Sequence, residues 1–352
     1  MIIINNKYPL ERVRYTLLAI MLAVSTNLCA MVDGAGFNFI NDKTSTVIPF
    51  EIVNNLIVIP VVINEGISVN LVLDTGVRSI VLFGRRFKKE LEIYPKRTVP
   101  LTGYGKRNSH VAKLSLNNNV KVADIEGKGL GILITPNNKL FSHEKGVEIE
   151  GLIGYQIFSR FAVVIDYVNK RIEISEPSPD LRYQGFEELP LIIKDTKPYI
   201  SANLKMPNNE IRQAHLHVDT GSARELILFM KEGVLELPKT GYDKSYIGHG
   251  LRGAIDGFVL ESTNVEMGKS TFENSNTCMI EREFSDRELS DAMGTLGSGF
   301  FKDFFIVLDY PNQKFYFKKG KKGDDLKYYV KVSKKVDYLA DLALCCNQHL
   351  EH

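Results

Sequence analysis

Tryptophan is absent from the sequence, and cysteine occurs only four times in 352 residues. So few cysteines exclude a small fold held together by a disulfide framework. Cys29 lies in the leader described below; Cys278, Cys345 and Cys346 are then odd in number, with no metal-ligand spacing. The adjacent pair could close only a strained ring, so either Cys278 links to one of them or the thiols are free. No charge of one sign dominates either, since 44 Lys and Arg stand against 42 Asp and Glu. That balance excludes a global field favouring nucleic acid or membrane, and Lys318, Lys319, Lys321 and Lys322 read as a solvated end.

A long hydrophobic run is missing too. The stretch YTLLAIMLAV (15–24) falls short of the roughly 20 residues a membrane-spanning helix needs. Lys7, Arg12 and Arg14 precede it and small or polar residues follow, which is the pattern of an export signal. Cleavage after Ala30 fits, but Leu28 is a poor residue at the −3 position, so an uncleaved anchor stays open. Cys29 lacks the small residue usual before a lipid-bearing cysteine. The protein is therefore expected to be exported, periplasmic or extracellular, with membrane association only through an uncleaved signal or a lipidated Cys29.

What the sequence does contain is Val, Ile, Phe and Tyr in short runs, which points to a β-rich globular protein long enough for two cores. It also repeats itself. Residues 151–174, GLIGYQIFSRFAVVIDYVNKRIEI, align without gaps on 294–317, GTLGSGFFKDFFIVLDYPNQKFYF, with eight of 24 positions identical at an offset of 143. Two Asp-Thr-Gly triplets, in LVLDTGVRSIVL (71–82) and LHVDTGSARELIL (216–228), place Asp74 and Asp219 145 residues apart. Glycine-rich turns follow, LTGYG (101–105) and IGHGLRG (247–253), so that Gly103 and Gly248 each lie 29 residues past their aspartate. Three landmarks in one order and nearly one register read as a duplication.

Each half opens with strand, turn, strand, the turns falling at Asn64-Glu65-Gly66 and near Pro207-Asn208-Asn209. Further hairpins are predicted at Asn169-Lys170 and Asn312-Gln313, and short helices at GRRFKKELEI (84–93) and FMKEGVLEL (229–237). The segment SEPSPDLRYQGFEELP, with Pro177, Pro179 and Pro190, reads as the linker. The predicted organisation is a signal peptide over 1–30, lobes over 46–180 and 187–320, and a basic segment with a tail helix over 321–352. That helix rests on the apolar spacing of Val336, Leu339, Ala340 and Ala343.

A carboxylate ending a buried strand is costly unless compensated. Two such carboxylates, one per half, can be brought face to face by a pseudo-twofold axis. At about 3 Å they cannot both ionise easily and share one proton. That suits amide hydrolysis, the ionised group taking a proton from water while the protonated one donates to the carbonyl. Each glycine after Asp-Thr permits a tight turn whose amide N–H groups can point at the carboxylates.

At these residues the chain resembles the aspartic peptidases of the pepsin and retropepsin superfamily, and more narrowly exported bacterial proteins with two retropepsin-like repeats in one chain. The resemblance covers about 46–320 and rests on Asp74-Thr75-Gly76, Asp219-Thr220-Gly221-Ser222, Leu152-Ile153-Gly154 and Thr295-Leu296-Gly297. It implies an all-β, bilobal acid-protease fold of two β-barrel lobes with few short helices, here with an appended C-terminal helix. It also implies catalytic Asp74 and Asp219 on loops supported by Thr75, Gly76, Thr220, Gly221 and Ser222. The threonines would bond across the axis. Gly103, Tyr104 and Gly105, with Gly248, His249 and Gly250, match flap hairpins that close over substrate. The implied function is an aspartic endopeptidase acting on peptides or proteins, a monomer with no cofactor, no metal and no nucleic-acid partner. The alternative is a catalytically silent peptide-binding or scaffold protein on the same fold.

Some positions depart from the family. Val77 follows the first triplet where a hydroxyl or alanine is usual, so no side chain there can bond the outer oxygen of Asp74, whereas Ser222 can serve Asp219. Asp74 is thus the expected holder of the shared proton. Only about 15 residues separate the signal from the first strand, so neither a long propeptide nor a PDZ-like domain is expected. His215, His217 and Asp219 alternate along one strand and could share a face. His-x-His spacing suits zinc, but the first repeat has Asn70 and Val72 there, and ordinary strand histidines are expected. Tyr104 reads as a substrate-covering residue or an exposed turn aromatic. Arg78 and Arg224 read as structural or substrate-contacting charges. Asp166-Tyr167 and Asp309-Tyr310 recur, and hairpin geometry accounts for them.

Overall fold

The computed structural model describes residues 36–93, 97–101, 103–105, 111–136, 147–261, 263–281, 289, 291–321, 323–324 and 330–332. The predicted export signal, Cys345, Cys346 and the predicted tail helix lie outside these residues. Among the described residues the regular secondary structure is nearly all strand, with two four-residue helices, Phe87–Glu90 and Tyr155–Phe158. The first of these falls where GRRFKKELEI predicts one.

A nine-stranded sheet is built from residues 36–153 and a ten-stranded sheet from residues 192–297. Apolar residues alternate or run on through their strands, and Ile57, Ile59, Leu71, Leu216 and Val218 lose nearly all contact with water. The tight turns sit where the sequence places them. Asn64 and Glu65 both take positive φ, the requirement of a two-residue hairpin turn that follows strand twist, and Asn209, Lys170 and Gln313 do likewise at theirs.

Between the large sheets lies a third that neither half owns. Its six strands run, in order, Glu187–Pro190, Lys314–Lys319, Phe304–Asp309, Ala162–Asp166, Arg171–Ser175 and Ser45–Pro49. At its centre Ala162–Asp166 pairs antiparallel with Phe304–Asp309, and Val164 stands opposite Val307. These two valines are counterparts in the 143-residue repeat, so a local twofold passes between them. Outward on either side, Arg171 pairs with Pro49 and Lys314 with Pro190, again matching positions.

Two expectations differ in detail. The stretch read as a linker carries strands Leu181–Tyr183 and Glu187–Pro190, the second completing the central sheet. The helix predicted at FMKEGVLEL does not form. Leu226–Met230 is instead a strand parallel to Thr277–Glu281, and a turn with Gly233 at φ 68° follows. Buried neighbours for Leu226, Leu228 and Phe229 on both sides of that strand outweigh the helical spacing.

Candidate active site

Strand Ile67–Leu73 ends at Asp74, and strand Ile211–Asp219 ends on its own aspartate. The same frame surrounds each. Gly151–Ile153 lies parallel to the first and antiparallel to Ile80–Phe83. Ala292–Gly297 lies parallel to the second and antiparallel to Leu226–Met230. The loop after each aspartate must then pass over the end of the inserted strand. There Gly154 touches the Asp74 carbonyl, and Gly297 the carbonyls of Ser222 and Arg224, so closely that any Cβ would collide. This is the physical reason for the repeated apolar-apolar-Gly spacing.

The loops are locked together beneath the aspartates. Thr75 Oγ1 donates to the Val218 carbonyl and Thr220 Oγ1 to the Leu73 carbonyl, both at 2.7 Å. Each hydroxyl also accepts the other threonine's backbone N–H, at 3.1 and 3.0 Å. Both threonines are fully buried. Four mutually satisfied bonds leave no orphan donor in the dry interior and fix the distance between the loops.

Above this lock the carboxyls meet. The Gly76 N–H donates to Asp74 Oδ1 at 2.7 Å and the Gly221 N–H to Asp219 Oδ1 at 3.0 Å. The Asp74 carboxyl rests on Gly221 where a side chain would clash, and the two carboxyl groups are within hydrogen-bonding contact of each other. Burial first, then the charge of Asp219, pushes Asp74 from 3.8 up to about 8, against the opposing effects of the Gly76 N–H and Lys197. Ser222, on the other loop, donates its backbone N–H to the Asp219 carbonyl at 3.2 Å.

The glycine-rich turns come together. Strands Tyr242–Gly250 and Gly253–Leu260 form a hairpin, and at its tip Arg252 N–H donates to the Tyr104 carbonyl at 2.9 Å. Gly250 and Gly105 form the crossing point, each lying against backbone of the opposite turn with no room for a Cβ. The tips also reach across the lobes. Tyr104 packs with Phe229, Ile247 and Cys278 of the second lobe, its ring 6.1 Å from Phe229, and is not an exposed turn aromatic. Leu251 packs on Val77, Leu152 and Val58 of the first, beside the loop of Asp74. Gly103 lies against Leu251, Gly248 has open space beside it, and His249 is exposed.

The two flanking arginines brace the loops. Arg78 pairs with Asp195 of the second lobe, and Arg224 donates to the Ile247 carbonyl at 2.8 Å on the hairpin. Cys278 is buried and has no disulfide partner among the described residues. His215 turns to Ser201 and Asp291 at the surface, and no group of three or more His, Cys, Asp or Glu among the described residues could hold a metal.

The recurring Asp-Tyr pairs have a larger part than hairpin geometry gave them. The Tyr167 hydroxyl lies 3.0 Å from Ser298 Oγ, which donates to the Thr220 carbonyl at 3.0 Å. Tyr167 thus props the second loop from below. Its counterpart Tyr310 is equally buried, but its hydroxyl has no hydrogen-bond partner among the described residues. Burial raises both phenols well above their ordinary range. The signal was present in sequence as a polar-aromatic dipeptide repeated at the 143-residue offset.

Residues 59–157, which include Asp74 and the Leu152-Ile153-Gly154 triplet, match the family model described as aspartyl protease. No curated protein matches the chain. Residues 59–157 thus resemble an aspartyl-protease domain of the aspartic peptidase superfamily, and the match supports a protease-like function.

Proposed function

We propose that the protein is an aspartic endopeptidase with a single dyad, Asp74 and Asp219, set between two lobes of one chain. The observation that carries this is the contact between two carboxyls, one pushed up to about 8, over a reciprocal threonine lock. In the working state Asp74 is protonated and Asp219 ionised. Asp219 takes a proton from water as the hydroxyl adds to the scissile carbonyl carbon, and Asp74 gives its proton to the carbonyl oxygen. In collapse, Asp219 returns its proton to the amine nitrogen, Asp74 recovers one from a hydroxyl, and the C–N bond breaks. The crossed tips of Tyr104 and Leu251 would part to admit an extended peptide and then close over it.

Each loop is braced by the other half, which supports a monomer as the working unit. The leader at residues 1–30 supports action outside the cytoplasm, on peptides or proteins. No helix among the described residues is long and apolar enough to cross a membrane. The silent-scaffold alternative calls for carboxyls too far apart to share a proton, and their contact favours turnover.

The test is incubation of the purified protein with a peptide mixture across pH, with and without pepstatin, beside Asp74→Asn and Asp219→Asn. Pepstatin-sensitive cleavage lost in both folded variants is expected. Substantial cleavage in either variant overturns the dyad.

A further inference from the structure

The two halves supply matching loops but not matching surroundings. Two residues before Asp219 the second strand carries His217, whereas the first has Val72 at the equivalent place, inside an apolar cluster. Alternation along the strand puts His217 on the same face as Asp219. The ring is 4 % exposed, and its Nδ1 lies 3.7 Å from Asp219 Oδ2. Its Cε1 also approaches Gly76, 3.3 Å from where a Cβ would stand, so the imidazole reaches the loop of Asp74 as well. Tyr199, opposite on the neighbouring strand, packs against it with ring centroids 5.5 Å apart. The strand on its other side presents Thr295, which does not titrate. Other charged or titratable groups acting on the dyad include Asp74 itself, Lys197, Tyr167 and Tyr310.

We propose that His217 is a positioning residue for Asp219, its imidazole supplying the positive charge that keeps that carboxyl the ionised member of the dyad. Resting on the peptidase reading above, this adds a reason for the division of labour between the aspartates. Val77 leaves Asp74 without a hydroxyl, and His217 gives Asp219 a cation, so both departures from symmetry push the shared proton toward Asp74. An opposite charge at under 4 Å favours the charged form of a carboxyl, and a protonated imidazole supplies one. The dyad then keeps one negative charge at a lower pH than two carboxyls alone would. Lys197 works against this division by favouring the ionised form of Asp74, and it corresponds to Leu56 at the start of the matching first-lobe strand.

Two measurements test it, one of which needs no turnover. In the first, the His217 ring proton is titrated by NMR in the wild type and in Asp219→Asn. Loss of the carboxylate is expected to lower the histidine midpoint by about half a unit or more, and an unchanged midpoint overturns the proposal. In the second, pH–rate profiles are compared for wild type, His217→Val and His217→Gln. The valine restores the side chain that the first lobe uses. The acidic limb is expected to move to higher pH, by about a unit, in both variants, because neither carries the charge. A glutamine variant with the wild-type limb would show that hydrogen bonding alone suffices and overturns the proposal. If no turnover is found at all, the peptidase reading fails while the NMR titration still decides the coupling.

Discussion

Thr75 and Thr220 each hold the other's loop, hydroxyl to opposite strand and backbone N–H to opposite hydroxyl. Neither lobe can supply this arrangement alone, because every bond in it has one partner from each half. The first expectation follows. Thr220→Val keeps the shape but orphans the Leu73 carbonyl and the Thr75 N–H in a dry interior, a loss of about 2–4 kcal/mol. Urea denaturation of the variant measures it directly. A cost within experimental error would show that the lock is not what joins the loops.

Asp74 gives a pH dependence with a definite sign. Its carboxyl holds a proton up to about 8 in the folded protein but only to 3.8 when unfolded. Between these values the native state binds the extra proton, so stability falls as pH rises through that window. The stabilisation is fully present below pH 3.8 and gone above about 8. Asp74→Asn removes this contribution, and the variant should gain on the wild type progressively from pH 4 to 8. Unfolding midpoints across that range check it; parallel curves would refute the assignment of the proton to Asp74.

At the crossed tips, glycines differ in what they allow. Gly250→Val would drive a side chain into the Tyr104 carbonyl, and Gly105→Val into the backbone of Arg252 and Gly253 at a φ of 121°. Gly248 has nothing within 4 Å of the place a methyl would occupy, so Gly248→Ala should be tolerated. Turnover is expected to drop roughly 10–100-fold in the first two and to stay near wild type in the third. Equal activity in all three would mean that tip contact has no part in the reaction.

The buried tyrosines offer a matched pair. Tyr167→Phe breaks the bond to Ser298 and should cost about 1 kcal/mol. Tyr310→Phe removes a hydroxyl that no group among the described residues satisfies, and should be neutral or slightly stabilising. Thermal unfolding of both variants separates the cases. A larger loss at Tyr310 would mean its hydroxyl has a partner that matters.

Much of the site was legible because its chemistry is written in short contiguous motifs. Asp74-Thr75-Gly76 and Asp219-Thr220-Gly221 must be local, since each loop turns within three residues, and the repeat offset then brings the halves into register. The part that Tyr167 plays was not legible. Its partner Ser298 lies 131 residues away in the other half, and no local pattern links a tyrosine to a distant hydroxyl. FMKEGVLEL misled for a related reason. Its helical spacing is a local property, while the strand at Leu226–Met230 is decided by neighbours at Thr277–Glu281 and Ala292–Gly297. In the proline-bearing connection, Pro177 and Pro179 mark a break, but Pro190 ends an edge strand, where its missing N–H does little harm.

The pairing of Val164 with Val307 has a consequence for how the chain is tied together. Because the central sheet zips the halves along backbone hydrogen bonds, the peptide between Glu176 and Leu181 acts mainly as a tether that raises the local concentration of one half around the other. A nick there would convert one molecule into a heterodimer held by a continuous sheet, and its two fragments would be partners of unlike sequence that share a single symmetry. Asymmetry at the carboxyls, with His217 on one side and Val72 on the other, is then something a fused chain can keep and a pair of identical subunits cannot.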